Sequence, residues 1–268
     1  MRLAGINLHP VKSTAIRPAR EAYVGAAGLV GDREWMVVDA RGAMVSAREL
    51  PALFSLVADP GVNGIELSAA GSAGLAVPVP TDGEEVAVSI HGKSPFPARR
   101  AGEAADRWLE ETLGVPGLRL VWCADPARRE VSTRLGMPGD RVAFQDGSAV
   151  SLASTASMAA LNEWSRAADG PTLPVSRFRA NLVVDGVEEA FAEDGWKSVR
   201  VGGAVLRVAG PIDRCVMTTI DPASLAKGKD PIRTLARHRR WDGKTWFAVH
   251  LMVEEQGPIA LGDELVVD

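Results

Sequence analysis

The chain has 268 residues, of which 46% are hydrophobic, and a formal net charge of -4. That size holds one large or two modest domains with a real core, and the acidic balance argues against a general nucleic-acid binder. Its two cysteines, Cys123 and Cys215, are far apart and too few for a disulfide framework, a multi-cysteine zinc site or an iron–sulfur cluster, and its four histidines are isolated and form no HExxH motif.

The first ten residues read as a strand closed by Pro10, too short and interrupted for a signal peptide. No apolar run approaches the roughly 18 residues of a membrane helix, so a soluble, cytoplasmic protein is expected. Val11-Lys12-Ser13 follows as an exposed turn, basic and hydroxyl-bearing, able to hold an anion or simply solvated. Residues 19–25 read as a second strand. The Gly-rich turn Gly28-Leu29-Val30-Gly31-Asp32-Arg33 leads into a strand at 34–39, a hairpin turn at 39–42 and a return at 43–46. Ser46 is placed to cap one helical turn. Further strands are expected at 53–58, 64–67 and 85–90, with glycine and proline at short intervals. That spacing indicates an antiparallel barrel or sandwich rather than a βαβ sheet.

At 102–113 the period changes. Ala105, Trp108, Leu109 and Thr112 recur at helical spacing, and Gly114 and Pro116 end the helix. A strand at 118–122 follows, and the main boundary falls near 114–118. Two units result, an N-terminal barrel or sandwich at 1–115 and a second domain at 116–268. Overall the fold is mostly β with some α (α+β).

Residues 124–147 read as a polar loop. A short strand at 149–152 meets a helix from Ser154 to Trp164, capped by Ser154. With Thr155 beside it, this helix start reads either as an anion site or as a plain structural cap. In Pro174 to Asp185, Arg177, Arg179 and Asn181 alternate with apolar residues, so a strand would put all three on one face. Two guanidiniums and an amide on one face suit an oxyanion; a solvated polar face is the other reading. A hairpin spans 196–209 with Gly202-Gly203 as its turn. The basic segment from Arg233 to Arg240 reads as a loop or irregular helix, and strands at 246–253 and 262–267 close the sheet.

The densest chemistry lies in Asp213-Arg214-Cys215-Val216-Met217-Thr218-Thr219-Ile220-Asp221-Pro222. Val216 to Ile220 favour an extended backbone that Asp221-Pro222 ends. A thiolate is a soft metal ligand, and Arg214 beside it favours the ionised form. The other reading of Cys215 is a small buried apolar residue, the usual state of a free cysteine.

These runs together resemble the MOSC-domain molybdenum enzymes, similar to the mitochondrial amidoxime-reducing component and its bacterial relatives. The resemblance rests on His9 to Ser13, Gly28 to Arg33, Glu34 to Asp39, the Arg-Phe-Arg-x-Asn run at Arg177 to Asn181, and the Arg-Cys-x-x-Thr-Thr-x-Asp-Pro run at Arg214 to Pro222. It implies a MOSC β-barrel domain behind an N-terminal β-barrel region, and a molybdenum cofactor, a pterin dithiolene with a phosphate, bound between the two halves. Cys215 would be the metal ligand. Lys12, Ser13, Arg33, Ser154, Thr155, Arg177, Arg179, Asn181, Asp213, Arg214 and His250 would bind the cofactor. The implied activity is reduction of N-hydroxylated or N-oxygenated compounds. Electrons would come from a separate ferredoxin- or flavoprotein-type partner, with no nucleic acid or membrane involved. The alternative is a cofactor or sulfur carrier using Cys215. The chain departs from the family pattern at Ala180, where proline is usual, and at Ala223-Ser224-Leu225, where a glycine is usual.

Overall fold

The strand Lys244–Glu255 is the spine of the largest sheet in the computed structural model, which describes residues 1–129 and 131–268. Eight consecutive residues of this strand, Thr245 to Met252, are buried, as expected of a strand covered on both faces. The sheet runs Leu265–Val267, Ser198–Val201, Ala204–Asp213, Lys244–Glu255, Val150–Ser154, Leu182–Asp185, Arg2–Leu8 and Arg17–Ala19, with Arg240–Trp241 paired beside the spine. Val150–Ser154 and Leu182–Asp185 run parallel, because the helix Thr155–Arg166 carries the chain back between them. Leu3, Ile6, Leu152, Leu182, Leu206 and Leu251 fill the core against this sheet.

A four-stranded sheet, Trp35–Val38, Arg119–Trp122, Phe96–Arg100 and Glu85–Val88, and a three-stranded one, Val57–Gly61, Gly64–Ser68 and Leu75–Pro78, surround a second core of Trp35, Leu53, Leu56, Leu109 and Leu120. The helix Glu103–Leu113 packs Trp108 and Leu109 into it and ends at Gly114, which adopts φ 66°. A third small sheet joins Gly257–Ala260 to Glu21–Gly25 and Gly28–Leu29. Gly28 has φ 109°, and a Cβ there would stand 2.2 Å from the Ala149 carbonyl oxygen, so this turn admits only glycine. The chain is thus mostly β, with three α-helices among the described residues.

Strand pairing does not follow the expected division at 115/116. Arg119–Trp122 pairs with Trp35–Val38 and Phe96–Arg100, whereas Arg2–Leu8 pairs with Leu182–Asp185 in the large sheet. The two halves therefore exchange strands, Arg2–Leu8 and Arg17–Ala19 joining the large sheet and Arg119–Trp122 the four-stranded one, and the groove between them is bounded by segments of both.

Four local expectations change. Val11, Lys12 and Ser13, expected as an exposed turn, are buried. Residues 53–58 are a 3-10 turn, Pro51–Ser55, followed by the strand Val57–Gly61. Residues 175–178 are also a 3-10 turn, Val175–Phe178, entered from Pro174 and left through Arg179 in the left-handed region at φ 52°. The amides of Arg177 and Arg179 bond back to the carbonyls of Pro174 and Ser176, so the alternating pattern never forms a strand face. Val216–Thr219 is a third such turn. There the Thr218 hydroxyl donates to the Cys215 carbonyl at 3.0 Å and the Thr219 hydroxyl to the Val216 carbonyl at 2.7 Å. Local side-chain bonds of this kind override the extended preference of β-branched residues.

Candidate functional site

Between the halves lies a cavity of about 470 Å³, within the range of small-molecule sites. Its cationic lining comes from both, Lys12, Arg33, Arg48 and Lys93 from the first, and Arg134, Arg177, Arg179 and Arg214 from the second. Two carboxylates, Asp146 and Asp213, oppose these eight. A surface so unbalanced is built for an anion.

Cys215 sits on its wall, exposed, at the point where the strand Ala204–Asp213 ends and the 3-10 turn begins. The approach is fixed by register shifts between Ala204–Asp213 and Lys244–Glu255, the last between Pro211 and Asp213, and by the Arg214 amide bonding the Thr245 carbonyl at 2.8 Å. Such irregularities re-aim a strand end. Arg48 Nη2 donates to Cys215 Sγ at 3.3 Å. Cys123, by contrast, is buried, and burial pushes its thiol up to about 12. Of the two sulfurs, only Cys215 is open to a ligand. Among the described residues no group of three or more His, Cys, Asp or Glu is placed to hold a metal ion, so a metal at Cys215 would take its remaining ligands from elsewhere.

The cations differ in how they are satisfied. Lys12 is buried and donates to the Phe144 carbonyl and to Asp146 Oδ1, both at 2.7 Å; burial lowers its ammonium to about 8, against the opposing pull of Asp146. Arg33 donates to Asp32 Oδ2 at 2.6 Å and to Asn181 Oδ1 at 3.1 Å. Asp32 is buried as well and takes further bonds from the His9 amide and ring. Burial would raise its carboxyl, but Arg33 and His9 outweigh that and hold it well below the usual carboxylate range. Among the described residues Arg179 and Arg214 have no such carboxylate partner. Arg179 lies over the Phe54 ring at 5.2 Å, and Arg214 over Phe178 at 5.2 Å while donating to the Phe247 and Phe178 carbonyls. Burial lowers each to about 9. Nη2 of both is buried with no hydrogen-bond partner among the described residues. A buried guanidinium donor without an acceptor is costly, and both arginines are among the residues that line the cavity.

Ten of the twelve residues expected from the sequence line this cavity: Lys12, Ser13, Arg33, Arg177, Arg179, Asn181, Asp213, Arg214, Cys215 and His250. Ser154 and Thr155 do not. The Ser154 hydroxyl caps its helix and is held by Glu193, and the Thr155 hydroxyl donates to Asp185 at 2.7 Å. The cavity is lined instead by the preceding stretch, Gln145 to Ser148 with Val150 and Ser151.

Two residues in the set are occupied with positioning. Asn181 Oδ1 accepts from Arg33, from the Ser151 amide and from the Ser151 hydroxyl, while Nδ2 donates to the Asn7 carbonyl. Its amide fixes Arg33 and joins the halves. Arg177 bonds Asp221 Oδ2 at 3.0 Å and the Thr218 carbonyl at 3.4 Å, tying the two 3-10 turns together. His250 is buried, with Nδ1 2.8 Å from the Ser148 hydroxyl; burial and then Arg214 and Arg134 lower its imidazole to about 3.

Sequence reasoning passed over Arg48, His91 and Asp146. His91 Nε2 lies 2.9 Å from Asp146 Oδ1, and Arg48 Nη1 lies 3.3 Å from His91 Nδ1. They stand on three loops with no shared spacing, so no linear motif exposes them.

Comparison with known proteins agrees with this layout. Residues 1–116 match the MOSC N-terminal beta barrel domain and residues 139–266 the MOSC domain. The chain is 32% identical over 281 residues to mitochondrial amidoxime-reducing component 1 of Homo sapiens, covering 97% of this chain and 81% of that protein. It is 32% identical over 279 residues to its Xenopus laevis counterpart, covering 96% and 79%. To molybdenum cofactor sulfurase of Danio rerio it is 29% identical over 269 residues, covering 93% of this chain and 31% of that one. The chain belongs to the MOSC-domain family that includes the mitochondrial amidoxime-reducing components.

Proposed function

We propose that this protein is a molybdenum-cofactor-dependent oxidoreductase that reduces N-hydroxylated or N-oxygenated compounds, drawing electrons from a separate protein of ferredoxin or flavoprotein type. The observation that carries the reading is an accessible sulfur, Cys215, on the wall of a cavity where Arg179 Nη2 and Arg214 Nη2 are buried and unpartnered. A cofactor bearing a phosphate and a polar pterin fits that donor set. Cys215 Sγ would hold the metal. Arg179, Arg214, Lys12, Arg33 and Ser13 would hold the phosphate and pterin through charge-assisted hydrogen bonds. Asp213 and Arg177 would complete the lining, with Asn181 fixing Arg33 and His250 offering a neutral ring. When bound, the cofactor supplies the two-electron chemistry that removes oxygen from nitrogen. The protein positions it, brings in the substrate and supplies protons.

A second reading, a cofactor or sulfur carrier, is favoured by the match to the sulfurase and by the exposure of Cys215. Protein purified from a cofactor-competent, molybdenum-replete host separates the two. The enzyme reading expects near-stoichiometric molybdenum with pterin and reduction of N-hydroxylated substrates, both lost in Cys215→Ser. Sulfane sulfur on Cys215 without metal would replace it with the carrier reading.

A further inference from the structure

The basic run from Lys227 to Lys244 contributes nothing to the cavity lining, yet three segments of this region close on the stretch Asp213 to Ile220 that carries Cys215. Lys227 bridges Ile220, and the Gly228 amide donates to the Thr219 carbonyl at 2.9 Å. The helix Ile232–His238 packs on the Val216–Thr219 turn. The hairpin that pairs Arg240–Trp241 with Thr245 and Lys244 meets the strand end, where Trp246 pairs with Asp213 and the Thr245 carbonyl accepts from the Arg214 amide at 2.8 Å. Residues 225–246 hold seven Lys and Arg against two Asp, in a chain whose net charge is -4. Two of the seven are taken up inside the fold: Arg233 holds Asp230, and Arg239 holds Asp194 while stacking on Phe191 and Trp241. The other five, Lys227, Lys229, Arg237, Arg240 and Lys244, have no carboxylate partner among the described residues, and all but the half-buried Lys244 are exposed. The carboxylates on the same segments are Asp213 and Asp242, both exposed, and Asp221, which Arg177 holds. Among these charges two large apolar side chains are exposed, Val216 by 61% and Trp241 by 40%. Val216 follows Cys215 in the chain, and Trp241 stacks on Trp246.

We propose that this face, built around Val216 and Trp241, docks an acidic electron-carrier protein that delivers electrons at Cys215. This rests on the reductase reading. Charge selects the partner: five unpaired cations attract an acidic protein, and the remainder of the chain, which carries net negative charge, turns it towards this face. Position selects its kind. A tether works from any surface, whereas an electron carrier has to come close to the centre it serves, and this face is fastened to the turn that begins at Cys215. Two apolar side chains rimmed by charge make a small, polar contact of the transient class, which suits a partner that leaves after each delivery. One turnover is R–NH–OH + 2 e⁻ + 2 H⁺ → R–NH₂ + H₂O. The carrier loses the two electrons, in two visits if it holds one and in a single visit if it holds two. The N–O bond breaks, nitrogen is reduced, and both protons come from water.

The test adds two acidic carriers, a [2Fe–2S] ferredoxin and a flavodoxin, separately to ¹⁵N-labelled protein at low salt. Binding shifts the amide resonances of residues 215–217 and 227–244 and the Trp241 indole, and about 0.2 M salt reverses the shifts by screening. This readout needs neither cofactor nor turnover. Lys229→Glu with Arg237→Glu lowers affinity for the carrier by about tenfold or more. Arg41→Glu with Arg107→Glu, an equal change of net charge at exposed positions of the first half, lowers it by less than about threefold. In the molybdenum-loaded protein the first pair cuts carrier-driven reduction by about tenfold and leaves reduction driven by reduced methyl viologen, a small dye, within about twofold of wild type. Binding by neither carrier, shifts confined to other faces, or equal losses in the two double variants overturn the docking face. Phosphatidylglycerol vesicles or duplex DNA held by these cations, with neither carrier bound, give the face to a membrane or a nucleic acid and overturn it too. A loaded protein that reduces no N–O bond even with viologen overturns the reductase reading, whatever the carriers do at this face.

Discussion

The cationic groups around the cavity are held on two plans. Lys12 and Arg33 of the first half and Arg177 of the second come with counter-charges, Asp146, Asp32 and Asp221. Arg179 and Arg214 of the second half lean on aromatic rings, and each leaves one buried donor without a partner among the described residues. A paired cation is part of the folded scaffold, and removing either member strands the other. An unpaired one is held at a cost in the free protein and recovers that cost when an anion arrives. The first set holds the cavity open and the second gives it an appetite.

Four substitutions break or sharpen this contrast. The largest effect is expected on the paired side. Asp32→Asn removes a buried carboxylate that satisfies Arg33 and His9, and should lower stability by about 3–5 kcal/mol in denaturant unfolding, the usual cost of stranding a buried charge. On the unpaired side Arg179→Gln should behave otherwise. The ligand-free protein melts no lower than wild type, while affinity for inorganic phosphate, read by calorimetry, falls about tenfold or more, the worth of a charge-assisted hydrogen bond. Equal losses of stability in both variants would erase the distinction.

The third concerns His250, whose ring is lowered from its ordinary 6.5 to about 3 by burial and then by Arg214 and Arg134. The unfolded chain takes up a proton in that window and the folded one does not, so stability is lost as the pH falls from 6.5 towards 3. His250→Gln should flatten the denaturant midpoint against pH across that window and leave it unchanged near pH 8. The smallest effect falls on the Cys215 turn. Thr219→Val removes the hydroxyl bond to the Val216 carbonyl and should cost about 1 kcal/mol. It should also speed alkylation of Cys215 by loosening the turn behind it.

Much of the chain could be read one residue after another. Apolar spacing and Gly114 set out the helix Glu103–Leu113, Ser154 caps its helix, and Gly202-Gly203 turns the hairpin between Ser198–Val201 and Ala204–Asp213. Nine of the cavity residues were accessible through local motifs around Lys12, Arg33, Arg177 and Cys215, and His250 only through the likeness to the family. Where reading failed, a short-range bond outweighed a propensity. Pro174 and the Thr218 and Thr219 hydroxyls close turns where alternation and β-branching favour strands. Ser154 and Thr155 failed for another reason. Hydroxyls at a helix start look alike in sequence whether they face an anion or Glu193 and Asp185.

By itself the sequence determined the elements with strong periodicity, the two cysteines and the basic runs, because these depend on neighbours within a turn or two. Only the tertiary structure decided that Arg2–Leu8 belongs to the large sheet and Arg119–Trp122 to the four-stranded one, since these pairings join residues far apart in the chain, such as Arg2 with Asp185 and Arg119 with Val38. It alone brought Arg48 and His91 from one half against Asp146 and Cys215 from the other. Hydrogen bonds between loops obey distance in space, and no spacing along the chain encodes it.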